Sequence, residues 1–135
     1  MGPRRTLLID DIHERVSPGA VAAGRSPGRW VLEPMDGGPV LVAPPGSRPP
    51  ELVLFPGAEG IYRVYVGLCS LDGRPSEVEA RVGQSGPWNR LRYEGGEIDY
   101  READVGTLDM TGRRIVLRHP PDRWSCLSHV RLVPG

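Results

Sequence analysis

The sequence predicts an all-β protein, an antiparallel β-sandwich of about eight to ten strands with little helix. Three observations predict this fold class. Short segments of alternating apolar and polar residues recur between Ile61 and Val133, and a period of two buries one face of a strand while exposing the other. The 18 glycines and 15 prolines mostly fall between apolar segments, where they mark turns. No stretch sustains the apolar period of a helix.

The individual strands follow from this alternation and from the turn residues that bound it. Tyr62, Val64 and Val66 alternate with Arg63 and Tyr65, so the segment that begins at Ile61 is the most clearly patterned strand. In chain order, strands are predicted near 5–9, 30–33, 39–42, 51–55, 61–71, 76–83, 89–93, 97–101, 113–118 and 125–133.

The first fifty residues predict an extension in front of the main sandwich. Residues 12–16 could form one helical turn, and the strands at 30–33 and 39–42 form a hairpin across a Gly-Gly turn. Residues 43–50 carry four prolines and are a loop or a hinge. We therefore expect one domain over 1–135, with 1–50 as the strand and hairpin extension and 51–135 as the jelly-roll core.

Composition excludes several classes of partner. The 17 acidic and 17 basic residues cancel, which leaves no basic surface for nucleic acid or an anionic membrane. Every basic residue counted is arginine, as a high-GC coding bias of a bacterial gene would produce. No apolar run approaches the roughly 20 residues of a membrane span, and the N-terminal one is too short for a signal peptide. A cytoplasmic location is expected, or an extracellular one if the chain is a fragment of a secreted protein.

Cys69 and Cys126 lie on the strands predicted to open and close the sandwich. If those strands are antiparallel neighbours, the two cysteines lie side by side and a disulfide is geometrically possible. Two reduced thiols are favoured, since they are the ordinary state in a reducing cytoplasm.

Three segments carry a resemblance to a known family. They are the strand Gly60–Leu68, the segment Leu108–Leu117 with its Asp-x-Thr-Gly turn, and the closing strand Leu127–Pro134. Together they resemble the galactose-binding-like jelly rolls found as carbohydrate-binding or accessory modules beside glycoside hydrolase domains. The resemblance implies sugar binding on loops at one end of the sandwich, often with a structural calcium. This sequence shows no calcium loop of spaced carboxylates, so no metal and no cofactor is expected.

Two loops combine aromatic and polar side chains in a way that suits a sugar. A pyranose needs an aromatic face for its C–H groups, flanked by charged or amide groups that bind its hydroxyls. If the two loops lie at the same end of the sandwich, their side chains could line one cleft. The alternative is that each tryptophan caps the core with its indole N–H bonded to a carbonyl, and Trp30 is expected in the core. The candidate ligand-binding residues are Trp88, Asn89, Arg90, Asp122, Arg123 and Trp124.

No catalytic motif accompanies these loops. The carboxylate pairs Glu77/Glu79 and Glu97/Asp99 each share one strand face, whereas a glycosidase needs two carboxyls across a cleft, about 5 to 9.5 Å apart. A solvated surface explains these pairs more simply. The three histidines are far apart in sequence and match no zinc-site spacing.

The sequence therefore favours a non-catalytic carbohydrate-binding or accessory module, with an oligosaccharide as ligand. A glycoside hydrolase-like protein or a second copy of the chain is a possible partner. The alternative is a protein–protein interaction module or a small non-catalytic subunit of an enzyme complex. That alternative is motivated by the neutral charge and by Tyr65, Tyr93 and Tyr100, since Tyr and Arg are enriched at interface hot spots.

Overall fold

The computed structural model describes residues 4–24, 26–35, 37–96 and 100–135, and it confirms the predicted antiparallel sandwich. Eleven strands form among these residues, one more than the predicted upper number. In chain order they are β1 Leu7–Ile9, β2 Val21–Ala22, β3 Trp30–Glu33, β4 Val40–Ala43, β5 Leu52–Leu54, β6 Ile61–Cys69, β7 Ser76–Val82, β8 Asn89–Tyr93, β9 Tyr100–Asp109, β10 Ile115–Arg118 and β11 Ser125–Pro134. The helical content described is one turn, α1 Ile12–Arg15, and a 3-10 turn, Pro18–Ala20.

The strands form two sheets that face each other. The large sheet has the order β2-β3-β4-β11-β6-β9, with β1 also paired to β11, and the small sheet has the order β5-β10-β7-β8. Among the described strands, only β2 and β3 pair in parallel. The core lies between the sheets, where Val64 and Leu68 of β6 pack in one cluster with Val78 of β7 and Leu117 of β10. Each sheet therefore has an inner apolar face and an outer face.

The predicted alternation of β6 is confirmed. Tyr62, Val64 and Val66 are buried while Arg63 is exposed. The strand predicted near 97–101 is wrong in extent, because β9 begins at Tyr100 and continues to Asp109; residues 97–99 lie outside the described residues. β9 is an edge strand of the large sheet, and its residues are exposed or only half-buried. It therefore lacks the strong apolar alternation that marks a strand in sequence.

The N-terminal hairpin is also confirmed, although its turn residue Asp36 lies outside the described residues. β3 and β4 pair antiparallel, and β4 pairs in turn with β11. Strands on both sides of residue 50 thus share the large sheet, and the division into 1–50 and 51–135 stays a prediction.

The Asp-x-Thr-Gly segment forms the tight turn expected of it. The Asp109 carboxylate accepts a hydrogen bond from the Thr111 N–H at 3.1 Å, and Gly112 has a φ of 66°, which residues with a Cβ rarely adopt. The Thr111 hydroxyl accepts from the Gly60 N–H at 2.8 Å. The turn therefore fastens the end of β9 to the start of β6.

Cys69 and Cys126 are neighbours on β6 and β11, as predicted. Leu68 pairs with Leu127, which sets the two cysteines opposite each other one residue further along. Both are buried in a small cluster on the outer side of the large sheet. The hydrogen bond with Cys69, together with burial, raises the pKa of the Cys126 thiol. Two reduced thiols remain the prediction.

His119 is buried in the polar seam where the β10–β11 loop meets the core. The Ser125 hydroxyl donates to the Glu77 carbonyl at 2.6 Å, so it accepts from His119 Nδ1 at 2.6 Å. The imidazole also meets the Trp30 ring edge-on, with centroids 6.0 Å apart. Burial lowers the pKa of His119, so folding favours the neutral form of the ring.

We expect this ring to make the folded state sensitive to mild acid. As pH falls below 6.5, the ordinary pKa of histidine, the unfolded chain takes up a proton before the folded protein does. Stability is therefore full above that pH and declines below it. His119→Gln should flatten the decline in Tm between about pH 7 and pH 5.5. Equal slopes for the variant and the wild type would contradict this.

Candidate ligand-binding face of the large sheet

Trp88 lies on the outer face of the small sheet. The Arg118 guanidinium is 3.8 Å and the Arg81 guanidinium 4.5 Å from the centroid of its ring. Both arginines alternate with core residues of β10 and β7, so they point away from the sandwich interior. Trp88 is half-buried by these two side chains.

Trp124 lies on the outer side of the large sheet instead. It packs against the cluster of Val40, Val42 and the two cysteines, and the Arg74 guanidinium is 4.4 Å from the centroid of its ring. The ring lines a cavity of about 750 Å³ together with Glu33 of β3.

The predicted cleft that would unite the two loops does not form, because the two tryptophan rings lie on opposite outer faces of the sandwich. The other four predicted residues are exposed. The Asn89 amide donates to the Ala80 carbonyl at 3.4 Å, and Arg123 Nε is 3.9 Å from the Asp122 carboxylate. A role for any of the six in ligand binding stays a prediction.

The Glu77/Glu79 pair was predicted to be a solvated surface, and this prediction is wrong for Glu77, which is buried. Its side chain is 5% exposed, with Arg90 Nε 3.1 Å from one carboxylate oxygen and Arg92 Nη1 2.9 Å from the other. Its N–H donates to the Trp124 carbonyl at 2.8 Å. Glu77 thus fastens β8 to the β10–β11 loop. The Glu97/Asp99 pair lies outside the described residues.

A larger cavity lies on the outer side of the large sheet, where the sequence predicted no site. Its volume is about 860 Å³, within the range of about 300 to 1,000 Å³ typical of small-molecule sites. Strands β1, β4, β6, β9 and β11 all contribute to its lining. The lining residues are Leu8, Asp10, Met35, Gly37, Gly38, Val40, Cys69, Tyr100, Glu102, Ser128, His129 and Arg131.

Three of these residues form a hydrogen-bonded group that we call the Glu102 cluster: Glu102, His129 and Arg131. The Arg131 guanidinium binds the Glu102 carboxylate in a bidentate manner. Nη2 donates to Oε1 at 2.6 Å, and Nε donates to Oε2 at 2.8 Å. His129 Nε2 lies 2.9 Å from Oε2. Because an ionised carboxylate can only accept, Nε2 carries the proton that points at Glu102. Nδ1 lies 2.9 Å from the Ser128 hydroxyl.

Gly67 makes the cluster possible. It pairs with His129 on one side and with Glu102 on the other, so the imidazole crosses directly over it to reach the carboxylate. A Cβ on Gly67 would lie within 3.0 Å of three His129 ring atoms. The pairing of β6 and β11 is also irregular between Leu127 and His129, and such bulges commonly redirect side chains beside functional sites.

We expect Gly67→Ala to expel the His129 ring from its place. Overpacking of this kind costs about 1–3 kcal/mol of unfolding free energy, and the His129–Glu102 hydrogen bond would be lost with it. Urea denaturation and the NMR signals of the His129 ring measure the two effects. Gly28→Ala is the matched control, because its Cβ would meet nothing within 4 Å. A Gly67→Ala variant with wild-type stability and an unshifted His129 would contradict the expectation.

Two tyrosines flank the cluster. Tyr100 is 52% exposed, and its ring meets His129 edge-on with centroids 5.4 Å apart. The Tyr65 ring is half-buried, with the Arg131 guanidinium 4.8 Å from its centroid. Tyr100 therefore offers an aromatic surface at the cavity, and Tyr65 holds Arg131 in place.

The chemistry of the cluster suits binding rather than acid catalysis. The Arg131 hydrogen bonds chiefly, and the His129 hydrogen bond in addition, hold the pKa of Glu102 below its usual range. A glycosidase general acid needs the opposite, a raised pKa that keeps the carboxyl protonated. Glu102 therefore stays ionised and orients two donors.

A sequence signal for this site exists in retrospect. Tyr100 and Glu102 are two residues apart on β9, and His129 and Arg131 are two residues apart on β11, with β6 between them. Each pair therefore shares the outer face of the sheet. The order of the strands, which sequence alone does not give, is what brings the pairs together.

The described residues contain neither a metal-binding cluster nor a membrane-spanning helix. Over the described part of the chain, no group of three or more His, Cys, Asp or Glu side chains could hold a metal ion. No helix in that part of the chain combines the length and the apolar character needed to cross a membrane.

Comparison with known proteins finds similarity in structure alone. No protein-family model matches the chain, and no curated protein matches it. A CBM36 domain of a multidomain xylanase from the Trinervitermes trinervoides hindgut metagenome superposes with a TM-score of 0.58 and 11% identity, covering 97% of this chain and 98% of that one. The chain has a galactose-binding-like jelly-roll fold.

Two longer enzymes contain a similar jelly roll. An exo-β-1,3-galactanase from Phanerochaete chrysosporium matches with a TM-score of 0.59 and 14% identity over 78% of this chain. A GH26-CBM35 β-(1,4)-mannanase from Podospora anserina matches with a TM-score of 0.54 and 10% identity over 97% of this chain. This jelly roll spans only 26% and 27% of those two chains.

Proposed function

We propose that this chain is a non-catalytic carbohydrate-binding module whose sugar site is the cavity of about 860 Å³ on the large sheet. One observation carries the proposal. The cavity combines a half-exposed aromatic ring, Tyr100, with polar groups that the Glu102 cluster holds in fixed positions. This is the combination of apolar surface and few oriented polar groups that small-molecule sites use.

Each part of the site has a role toward a sugar. The Tyr100 ring stacks against the C–H face of a pyranose. Arg131 uses Nε and Nη2 on Glu102, so Nη1 donates to a sugar hydroxyl. The Ser128 hydroxyl lines the cavity beside His129, and its oxygen accepts from a second hydroxyl. Fixed donors and acceptors of this kind lose little conformational freedom on binding.

The fold supports a binding role, because the similar structures include a domain named as a carbohydrate-binding module and an enzyme that contains one. An accessory role beside a catalytic partner is part of this proposal. The earlier alternative, a protein–protein module, gains no specific contact or patch in its favour from the residues that the structure describes.

The test is isothermal titration of the full chain with xylo-, manno- and β-1,3-galacto-oligosaccharides. We expect one class to bind, and Tyr100→Ala to raise its Kd by at least about tenfold, since stacking against one aromatic ring is worth about 1–3 kcal/mol in comparable recognition. Phe55→Ala is the matched control, because Phe55 is also an exposed ring, 70% exposed, but lies beyond β5 of the small sheet.

Two further variants locate the site if Tyr100 is not part of it. Loss of binding in Trp124→Ala alone would move the sugar to the cavity of about 750 Å³. Loss in Trp88→Ala alone would move it to the small sheet. No heat with any of the three oligosaccharide classes would overturn the proposal for those sugars.

A further inference from the structure

The outer face of the small sheet holds a second, smaller cavity that the proposed sugar site does not use. Its volume is about 300 Å³. Val53 and Val116, which pair across β5 and β10, supply apolar lining. Arg81 pairs with Val116 from the other side, and Arg114, two residues before Val116, lies on the same face. Arg81 of β7 and Arg114, the residue before β10, thus line one cavity.

These two arginines differ from their neighbours. On the same face, Arg90 and Arg92 pair with Glu77, and Arg118 pairs with Glu79. By contrast, neither Arg81 nor Arg114 has a carboxylate oxygen within 4.0 Å among residues 4–24, 26–35, 37–96 and 100–135. Arg81 Nε is in addition buried without a hydrogen-bond acceptor. Such an unsatisfied buried donor is costly unless an acceptor reaches it.

An aromatic ring lies near each of the two guanidinium groups. Arg81 Cζ lies 4.5 Å from the centroid of the Trp88 ring, and Arg114 Cζ lies 5.9 Å from the centroid of the Phe55 ring. A cation–π contact uses the charge of the guanidinium rather than a hydrogen-bond acceptor, so its N–H groups remain available to a ligand. Fixed, forked donors of this kind suit the oxygens of a carboxylate, sulfate or phosphate group.

We propose that Arg81 and Arg114 form a binding site for a single oxyanionic group, a carboxylate or a sulfate or phosphate ester. Gln84 lines the cavity and offers an amide donor, and Glu51 lines it as well. Two guanidinium charges against one carboxylate leave a net charge of +1 on the empty site, which one anion neutralises. The site is on the opposite face from the proposed sugar cavity and does not depend on it.

The experiment is an NMR titration of the ¹⁵N-labelled full chain with sodium acetate and, separately, sodium sulfate, with sodium chloride at equal ionic strength as the reference. We expect saturable shifts of the Gly83 and Gln84 amides with at least one anion. Arg81→Gln and Arg114→Gln should each weaken that binding by about tenfold. Arg113→Gln, which removes an exposed arginine outside the cavity lining, should leave it unchanged.

The outcomes separate the possible ligands. Binding of acetate alone assigns the site to a carboxylate, binding of sulfate alone to a sulfate or phosphate ester, and binding of both to any small oxyanion. Shifts no larger than those with chloride, or equal weakening by Arg113→Gln, would overturn the site. If Arg81→Gln fails to fold, as its melting curve would show, the comparison of Arg114→Gln with Arg113→Gln still decides.

Discussion

Glu102→Gln is expected to weaken saccharide binding by about tenfold and to lower the free energy of unfolding by about 1–2 kcal/mol. The carboxylate accepts three hydrogen bonds, two from Arg131 and one from His129. A glutamine keeps the shape but places an amide N–H₂ against one of these donors. At least one of the three hydrogen bonds is then lost, and the polar groups aimed at the sugar lose their fixed positions.

The same substitution should change the acid sensitivity of the protein. Because the folded protein lowers the pKa of Glu102 from its ordinary 4.5, the ionised group contributes stability that is fully present above pH 4.5. This stability is lost as the pH falls below 4.5 toward the lowered value. Glu102→Gln lacks this contribution at every pH. Its free energy of unfolding should therefore approach that of the wild type in acid.

Urea denaturation at about pH 7 and pH 3.5 checks the stability effect, and isothermal titration checks the affinity. Glu59→Gln is the control, since Glu59 is an exposed carboxylate outside the cavity lining. Wild-type affinity in Glu102→Gln would show that Glu102 does not position the donors. A gap between the variant and the wild type that stays constant in acid would contradict the linkage.

Trp30→Ala should be the most destabilising single substitution among the tryptophans. The side chain is fully buried, and its indole N–H donates to the Pro50 carbonyl at 2.9 Å. Replacement of a buried tryptophan with alanine costs about 3–5 kcal/mol through lost transfer energy and the cavity left behind. That is a large share of the roughly 5–15 kcal/mol that holds a typical domain folded.

Two companions to this variant separate packing from hydrogen bonding. Trp30→Phe keeps most of the ring volume but leaves the Pro50 carbonyl without its donor, and should cost about 1–3 kcal/mol. Trp88→Ala, at the half-buried ring on the small sheet, should cost less than either. Free energies of unfolding in urea rank the three variants. A loss below about 1 kcal/mol in Trp30→Ala would mean that the ring is not part of the core.

The fold was predictable where burial imposes a period on the sequence. β6 and β11 are covered on the inner face and read as clear alternation. Trp30 begins an apolar strand, and its predicted place in the core is confirmed. The extent of β9 was not predicted, because this edge strand is largely exposed and a register shift interrupts the alternation of its inward residues Ala103, Val105 and Leu108.

The candidate site was less predictable, for a geometric reason. The sequence prediction rested on aromatic residues that stand beside polar ones within a single loop. It pointed to Trp88 and Trp124, whose rings lie on opposite outer faces of the sandwich. The Glu102 cluster instead joins residues 27 and 29 positions apart in the chain. Its members come from β9 and β11, which both pair with β6, and they meet across Gly67 of β6. The order of strands in a sheet cannot be predicted from the composition of a single loop or strand.

The position of β11 in the large sheet bears on how the chain folds during synthesis. β11 pairs with β1 and β4 along one edge and with β6 along the other. Residues 7–9 therefore stay unpaired on this side until residues 130–132 have left the ribosome, and the large sheet closes only after that point. Contacts so distant in sequence slow folding to milliseconds or seconds. Until then the apolar strands of the large sheet are exposed, and chaperones or other nascent chains can bind them.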